Sequence, residues 1–510
     1  MSRAAPVALW LAAALISGFT MRRYLEPFDE GLLLQAALRM SDGQWPYADF
    51  GWAYGPGQPL AITAAFELFE PSVLWWRILR MAADATIALL VWTLVRRDAG
   101  PRWALAAWLA AAVTIAQPTS ASPVPIALAL ALAAVTVAAG PEPTTRRTAA
   151  AGVLAALAAF WRPDLGVVAG LAATAACVAC LRGSDPSVVA QSRSVSAQRG
   201  LAPLGVGVIA GVALYAPFAV AAGLPRLWDS LVSAGVRDGA AWRLPFPLEY
   251  GGSLRGWPPG ALAEDLKDVL VFYLPLVGVV ALVLVVLLVR RRVTPAVAGL
   301  GVLALGALAY LLSRADELHA QPLLVILCAL LPIAAARLER PTVLLVPLAL
   351  ILLAGAANRI SALVLPPELE PVTLPGVPGI RVPPEEAEVL PALVTAFQAR
   401  VPPGEPIYVA PRRSDLVTLT DPLIHFIVRR PNVLRRDALL QARPDEQERI
   451  VAALERARPR AVIRWLDPIS SRPEPNERGR PSGSRVLDEY LMQAYETAAR
   501  YGPYEMLVPR

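Results

Sequence analysis

One lysine, Lys267, and two histidines, His319 and His425, serve a chain of 510 residues. Charge is scarce altogether: 17% of residues are charged, against about 25% in an average soluble domain. With 56% hydrophobic residues and a mean hydropathy of +0.49, this excludes a wholly soluble protein and implies a membrane protein with a soluble remainder. The shortage of histidine argues against a hydrolase built on a Ser/His/Asp triad. Cysteine is nearly absent too, and Cys177, Cys180 and Cys328 all lie in apolar segments. Cys177 and Cys180 form a CxxC without a companion pair or polar neighbours, so they read as small buried residues; no disulfide framework is implied. Basic residues outnumber acidic ones by 47 to 41. The arginines fall in short loops between apolar runs, a pattern that sets membrane topology rather than one that binds nucleic acid.

What the chain has in quantity is apolar runs. Segments of a length suited to spanning helices are expected at 5–21, 73–95, 103–117, 123–139, 148–162, 165–181, 201–222, 269–289, 295–312, 320–336 and 341–357. About eleven spans put the N-terminus in the cytoplasm and the C-terminus outside. The loops at 96–102, 144–147, 182–199, 290–292 and 337–340 are then basic and cytoplasmic, as the positive-inside rule requires. Arg22 and Arg23 are the exception, basic residues on the outer side. The fold class expected is a polytopic α-helical membrane protein with a C-terminal extracytoplasmic α/β domain.

Its parts are a membrane domain at 1–357, with a first outer loop at 22–72 and a large outer loop at 223–268. A proline-rich linker at 358–384 follows, then the α/β domain at 385–510. In that last domain, helix-then-strand patterns recur three times, which predicts a largely parallel sheet.

The outer loops carry the polar islands. The first, residues 22–60, holds the adjacent carboxylates Asp29 and Glu30, with Arg39 expected near them. The others pair Arg162 with Asp164 and Arg314 with Asp316, the latter followed by His319; Arg243 stands in the large outer loop. Ionisable groups at helix ends near a bilayer often mark a polar cavity or a lipid-phosphate site. Salt bridging between loops and snorkelling are the ordinary alternatives, though three islands on one face weigh against them. Arg77, Arg80 and Asp84 fall at helical spacing in the second span. Arg80 is expected to pair with Asp84, leaving Arg77 free to reach a phosphate.

Sugar transfer from a polyprenyl-phosphate sugar has these requirements. The leaving group is a phosphate and needs no general acid, whereas the acceptor hydroxyl needs a base. The departing phosphate needs positive charge, from arginine forks or from a divalent cation held by carboxylates.

The first loop also resembles the first extracytoplasmic loop of the GT-C superfamily, the dolichyl-phosphate-mannose protein mannosyltransferases, the lipid A aminoarabinose transferase and their bacterial relatives. The match is Asp29-Glu30, then Arg39, then Gly43, Tyr47, Asp49 and Phe50, and Tyr54-Gly55-Pro56-Gly57. Echoes follow at WRPDLG (161–166), WRLPFP (242–247) and SRADELH (313–319).

The resemblance implies an inverting glycosyltransferase in the cell's inner or plasma membrane. It implies Asp29 as catalytic base or acceptor-positioning carboxylate and Glu30 as the second candidate. Arg39, Tyr47, Asp49 and Tyr54 would shape the loop or bind donor phosphate, with Arg77, Arg162, Asp164, Arg243, Arg314, Asp316 and His319 as further substrate-binding candidates. A divalent cation, Mg2+ or Mn2+, would sit on Asp29 and Glu30. The expected partners are a polyprenyl-phosphate sugar, membrane lipids and an acceptor that is glycan, lipid or protein; no nucleic acid is implied.

Two departures narrow the expectation. Gly31-Leu32-Leu33 replaces the Arg-Tyr run of the aminoarabinose transferase, and no WWD-type oligosaccharyltransferase signature is visible. The competing readings are a flippase for a lipid-linked glycan and a catalytically silent assembly partner. Against the flippase, the charges cluster on one face, whereas alternating access places polar groups near the midplane between repeats.

Overall fold

The computed structural model describes residues 4–140, 144–182, 193–246, 248–255, 259–289, 293–339, 341–437 and 443–510. The expected arginine run at 290–292 and Arg340 lie outside the described residues.

The chain begins with α1 (Ala4–Gly18), followed by two short helices of the first outer loop, α2 (Asp29–Ser41) and α3 (Gly57–Leu68). Next come α4 (Val73–Asp98), α5 (Pro101–Ile115), α6 (Val124–Ala138), α7 (Thr145–Trp161), α8 (Pro163–Arg182) and α9 (Arg193–Ala222). The long connection after α9 holds α10 (Leu224–Trp228), a short π-helical turn and α11 (Ala234–Trp242). The membrane part ends with α12 (Pro259–Val289), α13 (Pro295–Ser313), α14 (Glu317–Ala335) and α15 (Thr342–Val364).

Each of the eleven apolar segments read from the sequence falls on one of these helices. Among the described residues, seven helices are long and apolar enough to cross a membrane; α1, α5 and α6 are apolar but shorter. Helix starts follow local chemistry. Ser72, Thr144, Thr294 and Asp316 each accept a backbone N–H in the first turn of α4, α7, α13 and α14, which satisfies a donor the helix itself cannot pair.

α14 lies at the centre of the bundle and is buried almost throughout. The outer faces of α9, α12 and α15 instead expose Ile209, Val212, Val283, Leu287, Val346 and Leu353. Apolar side chains on the outside of a bundle this large suit contact with lipid. Alanine and glycine let the inner helices approach closely; a Cβ on Gly152 would meet Pro203 O of α9 at 2.6 Å.

The proline-rich stretch is not a free tether. α15 runs on to Val364, after which β1 (Glu370–Pro371) and β2 (Arg381–Val382) pair antiparallel. β2 is also tied to the first outer loop, through Arg381 N to Arg22 O and Tyr24 N to Arg381 O, both 2.8 Å.

The C-terminal domain then comprises α16 (Pro384–Arg400), β3 (Tyr408–Ala410), α17 (Leu423–Val428), α18 (Pro444–Ala457), β4 (Val462–Trp465), α19 (Val486–Ala494), β5 (Tyr495–Tyr501) and β6 (Tyr504–Pro509). The helix-and-strand alternation is present, but the expectation of a largely parallel sheet is corrected. Its strand order is β3-β4-β6-β5, and only β3 and β4 run parallel. The third helix-then-strand unit ends in the tight hairpin β5–β6, and a hairpin makes neighbours antiparallel.

This domain sits on α2. Leu33, Leu34 and Phe50 of the first loop share one apolar core with Val394, Ile424 and Phe426. Gly31 is where the backbones approach most closely. A Cβ there would lie 2.3 Å from Leu423 N, so no larger residue fits between α2 and α17.

Candidate active site

The N-terminus of α2 is built around three carboxylates with three different fates. Glu26 accepts from Glu30 N (2.6 Å) and Phe28 N (3.0 Å), while Glu30 Oε2 accepts from Glu26 N (3.3 Å), a reciprocal arrangement in the manner of a capping box. Burial first, and then the charge of Asp29, push the Glu26 carboxyl up to a pKa of about 8.

Glu30 is fully buried and gripped by the Arg77 fork, Nε to Oε1 and Nη2 to Oε2, both 2.7 Å. Arg77 has no exposure of its own and also donates to Met21 O and Tyr24 O. Its expected reach to a donor phosphate is therefore corrected: it fastens the start of the loop. Glu30 is likewise a structural anchor, since both its oxygens are taken.

Asp29 is left over. Among the described residues no donor hydrogen-bonds its carboxylate, and it faces a cavity of about 90 Å³. Burial raises its pKa, with the His319 side chain opposing that shift. A lone carboxylate of raised pKa opening on a cavity is suited to accept a proton.

The cavity wall also draws on elements far apart in sequence, among them Tyr54, Arg80, Arg162, Tyr310 and His319. Arg162 follows the last turn of α7, binds Asp164 (3.0 Å), and lies over the rings of Tyr310 (4.5 Å) and Tyr54 (5.6 Å). Gly55 explains how Tyr54 reaches it. A Cβ on Gly55 would sit 2.2 Å from Phe160 O, and Gly55 N donates to Trp161 O, so only glycine lets the loop press against the end of α7. Burial, and then the Asp29 charge, hold the Tyr54 hydroxyl protonated well above its usual range.

Arg80 donates to Asp84 (2.8 Å), as expected, and to Ser120 O and Ile115 O. His319 stacks on Tyr310 (4.6 Å between centroids) and its Nδ1 lies 2.7 Å from Asp316. Asp316 in turn accepts from Arg314 at 2.6 Å. Burial alone would raise the Asp316 pKa, but the His319 and Arg314 contacts hold it below the ordinary value.

Arg80, Arg162 and His319 line the cavity, while their partners Asp84, Asp164 and Asp316 do not. The cavity thus carries basic side chains on its lining, while their carboxylate partners lie off it.

The remaining predicted residues lie elsewhere. Arg39 is not beside Asp29 and Glu30; it binds Asp437 of the C-terminal domain at 2.8 Å, donates to Leu434 O, and covers Phe50. Tyr47 takes a left-handed backbone (φ 69°) and donates to Tyr54 O at 2.5 Å. Asp49 accepts from Trp45 N, and its carbonyl accepts from Arg435. These three shape the loop. Arg243 is exposed and away from the cavity lining. Sequence reasoning missed Glu26, Tyr310, Asp437 and the lining role of Arg80. Glu26 alone carried a signal, a carboxylate four residues before Glu30. Tyr310 is one aromatic in an apolar span.

The donor set does not suit the expected divalent cation on Asp29 and Glu30. Glu30 is committed to Arg77, and among the described residues no group of three His, Cys, Asp or Glu side chains could hold a metal ion.

No family model matches the sequence, and no curated protein does either. Solved structures do match. ArnT from Cupriavidus metallidurans bound to undecaprenyl phosphate is 14% identical with a TM-score of 0.58, covering 99% of this chain and 98% of that one. Its apo form is 15% identical at 0.55, covering 98% and 97%. AglB, the Archaeoglobus fulgidus oligosaccharyltransferase, in complex with an inhibitory peptide and a dolichol-phosphate, is 14% identical at 0.52, covering 91% and 70%. ArnT and AglB are both GT-C membrane glycosyltransferases. The chain shares the fold of these solved structures. The similarity to ArnT runs the length of both chains, through the helical bundle and the C-terminal domain together.

Proposed function

We propose that this protein transfers a sugar from a polyprenyl-phosphate donor to an acceptor hydroxyl on the outer face of the cell membrane, with inversion. The observation that carries the proposal is the unpaired Asp29 carboxylate facing a cavity wall of Arg80, Arg162 and His319. The neighbouring folds in complex with undecaprenyl phosphate and dolichol-phosphate support the donor class.

In this reading the acceptor hydroxyl gives its proton to Asp29, and its oxygen attacks the anomeric carbon. The bond from that carbon to the phosphate oxygen breaks, and the electron pair leaves with the polyprenyl phosphate. One displacement inverts the anomeric centre. The basic wall stabilises the charge gathering on the phosphate, and the enclosed site makes each contact stronger than it would be in water. Arg80 is already aligned by its buried partner Asp84 and Arg162 by Asp164 and two aromatic rings, so little reorganisation is needed as charge develops.

In this reading the positive charge for the phosphate comes from the Arg80 and Arg162 side chains. The C-terminal domain lies on the outer side in this reading, where its contacts with α2 hold the catalytic carboxylate in register.

The test is transfer from synthetic polyprenyl-phosphate mannose, arabinose and glucose in purified membranes, for wild type and Asp29→Asn, with and without a chelator. Transfer by wild type alone, insensitive to chelator, is the result expected. No transfer from any donor, with intact lipid-glycan export in cells, would overturn it in favour of a flippase.

A further inference from the structure

Arg22 and Arg23 break the topology rule that the rest of the chain obeys, and the cavity does not use them. They belong to a second basic cluster. Arg23 and Arg359 approach the same ring, their guanidinium carbons 5.7 and 5.4 Å from the Phe19 centroid. Arg22 and Arg381 are joined through their backbones at 2.8 Å, and both side chains are exposed. The cluster therefore draws on the end of α1, the outer end of α15 and strand β2.

Among the described residues, none of these four arginines makes an ion pair. Their side-chain hydrogen bonds go to neutral oxygens: Arg23 to Ala362 O (2.7 Å), Arg359 to Thr20 Oγ1 (3.4 Å) and Arg381 to Leu369 O (3.0 Å). The Nε of Arg359 is enclosed and has no partner among the described residues. Asp84, an acid whose charge acts on Arg359, is already taken by Arg80 and Ser17. Like charges gathered at a low-dielectric boundary repel one another, and an enclosed donor left unmade is costly. An anion held between them would relieve both.

The level of the cluster says which anion. Leu15, Phe19, Ile360 and Leu363 are exposed on the same two helices directly beside it, so the arginines stand where an apolar, lipid-facing surface ends. A phospholipid phosphate lies at that depth, and guanidinium forks bind phosphate oxygens bidentately. We infer that Arg22, Arg23, Arg359 and Arg381 form a headgroup site for an anionic phospholipid, on the C-terminal-domain side of the membrane and separate from the Asp29 cavity. The lipid would bridge the first loop, the last membrane helix and the docked strand β2, which explains why arginines are retained on the face the topology rule would keep free of them.

The test is native mass spectrometry of the full chain with added phosphatidylglycerol, with phosphatidylcholine of the same acyl chains, and with excess inorganic phosphate. One phosphatidylglycerol retained in preference to phosphatidylcholine is the expected result. Arg23→Gln and Arg359→Gln should each weaken it about fivefold, the order a single basic residue contributes near a charged surface. Arg22→Gln, whose exposed side chain makes no hydrogen bond that the fold depends on, should weaken it as well and guards against misfolding of the other two. Equal retention of both lipids, unchanged retention in all three variants, or displacement by inorganic phosphate would each overturn the assignment.

Discussion

Glu474 of the C-terminal domain reaches Arg314 at the turn before α14, its Oε2 lying 3.1 Å from Nη1. Arg314 holds Asp316, and Asp316 holds the ring of His319 on the cavity wall. A side chain in the last hundred residues thus sets the orientation of a group facing Asp29. Glu474→Gln should reduce kcat about tenfold with a smaller change in donor KM, because misorientation weakens alignment more than binding. Glu474→Asp should recover part of the loss. Steady-state kinetics of sugar transfer read both outcomes, and an unchanged kcat in Glu474→Gln would remove the link.

Asp29→Asn should lower transfer by about 10²- to 10⁴-fold, the range of a lost general base, while leaving the melting temperature within a few degrees. The pH dependence follows from the same group. A base works when deprotonated, and burial lifts the Asp29 pKa above the ordinary carboxylate value. Wild-type rates should therefore rise with pH through a midpoint above about 4 and stay high beyond it.

Glu30→Gln and Arg77→Met should behave in the opposite way. Each leaves one charge of a fully buried pair alone, which costs about 3–5 kcal/mol. Thermal unfolding should show a large drop for either single variant and a smaller one for the double variant.

Asp421, at the entry to α17, accepts from Tyr504 (2.8 Å) and Leu423 N (3.0 Å), and burial pushes its pKa up to about 7. The folded chain then holds a proton that the unfolded chain releases near pH 4. The stability this confers is present in acid and is lost as pH rises from about 4 to about 7. Asp421→Asn should flatten the decline of unfolding midpoint over that window; an identical decline in both proteins would exclude Asp421 as its source.

Hydrophobic runs made the helices of the bundle legible, because each apolar run read from the sequence coincides with one helix. The ordered set from Asp29 to Gly57 singled out the loop that brings Asp29 and Tyr54 to the cavity. What could not be read was which of its residues face the cavity. Glu30 and Asp29 are adjacent and chemically alike, yet one turns inward to Arg77 and the other outward. That choice depends on Arg77, 47 positions away, and sequence spacing does not report it. Arg39 misled for the same reason, since its partner Asp437 is 398 positions away. The sheet was misjudged because helix–strand alternation shows connectivity, whereas strand direction is set by the hairpin at Gly502.

The docking of β2, Leu423, Asp437 and Glu474 onto elements made much earlier bears on how the protein is born. The Asp29 loop leaves the ribosome first, but Arg39 waits for Asp437, nearly four hundred residues of synthesis later. At roughly 5–20 residues per second, that interval is on the order of tens of seconds. During it, the apolar faces of α2 that will meet Ile424 and Phe426 have no cover. A nascent chain of this protein therefore carries an apolar face without its partner until its last segment arrives, and a chain truncated before Ile424 keeps that face bare.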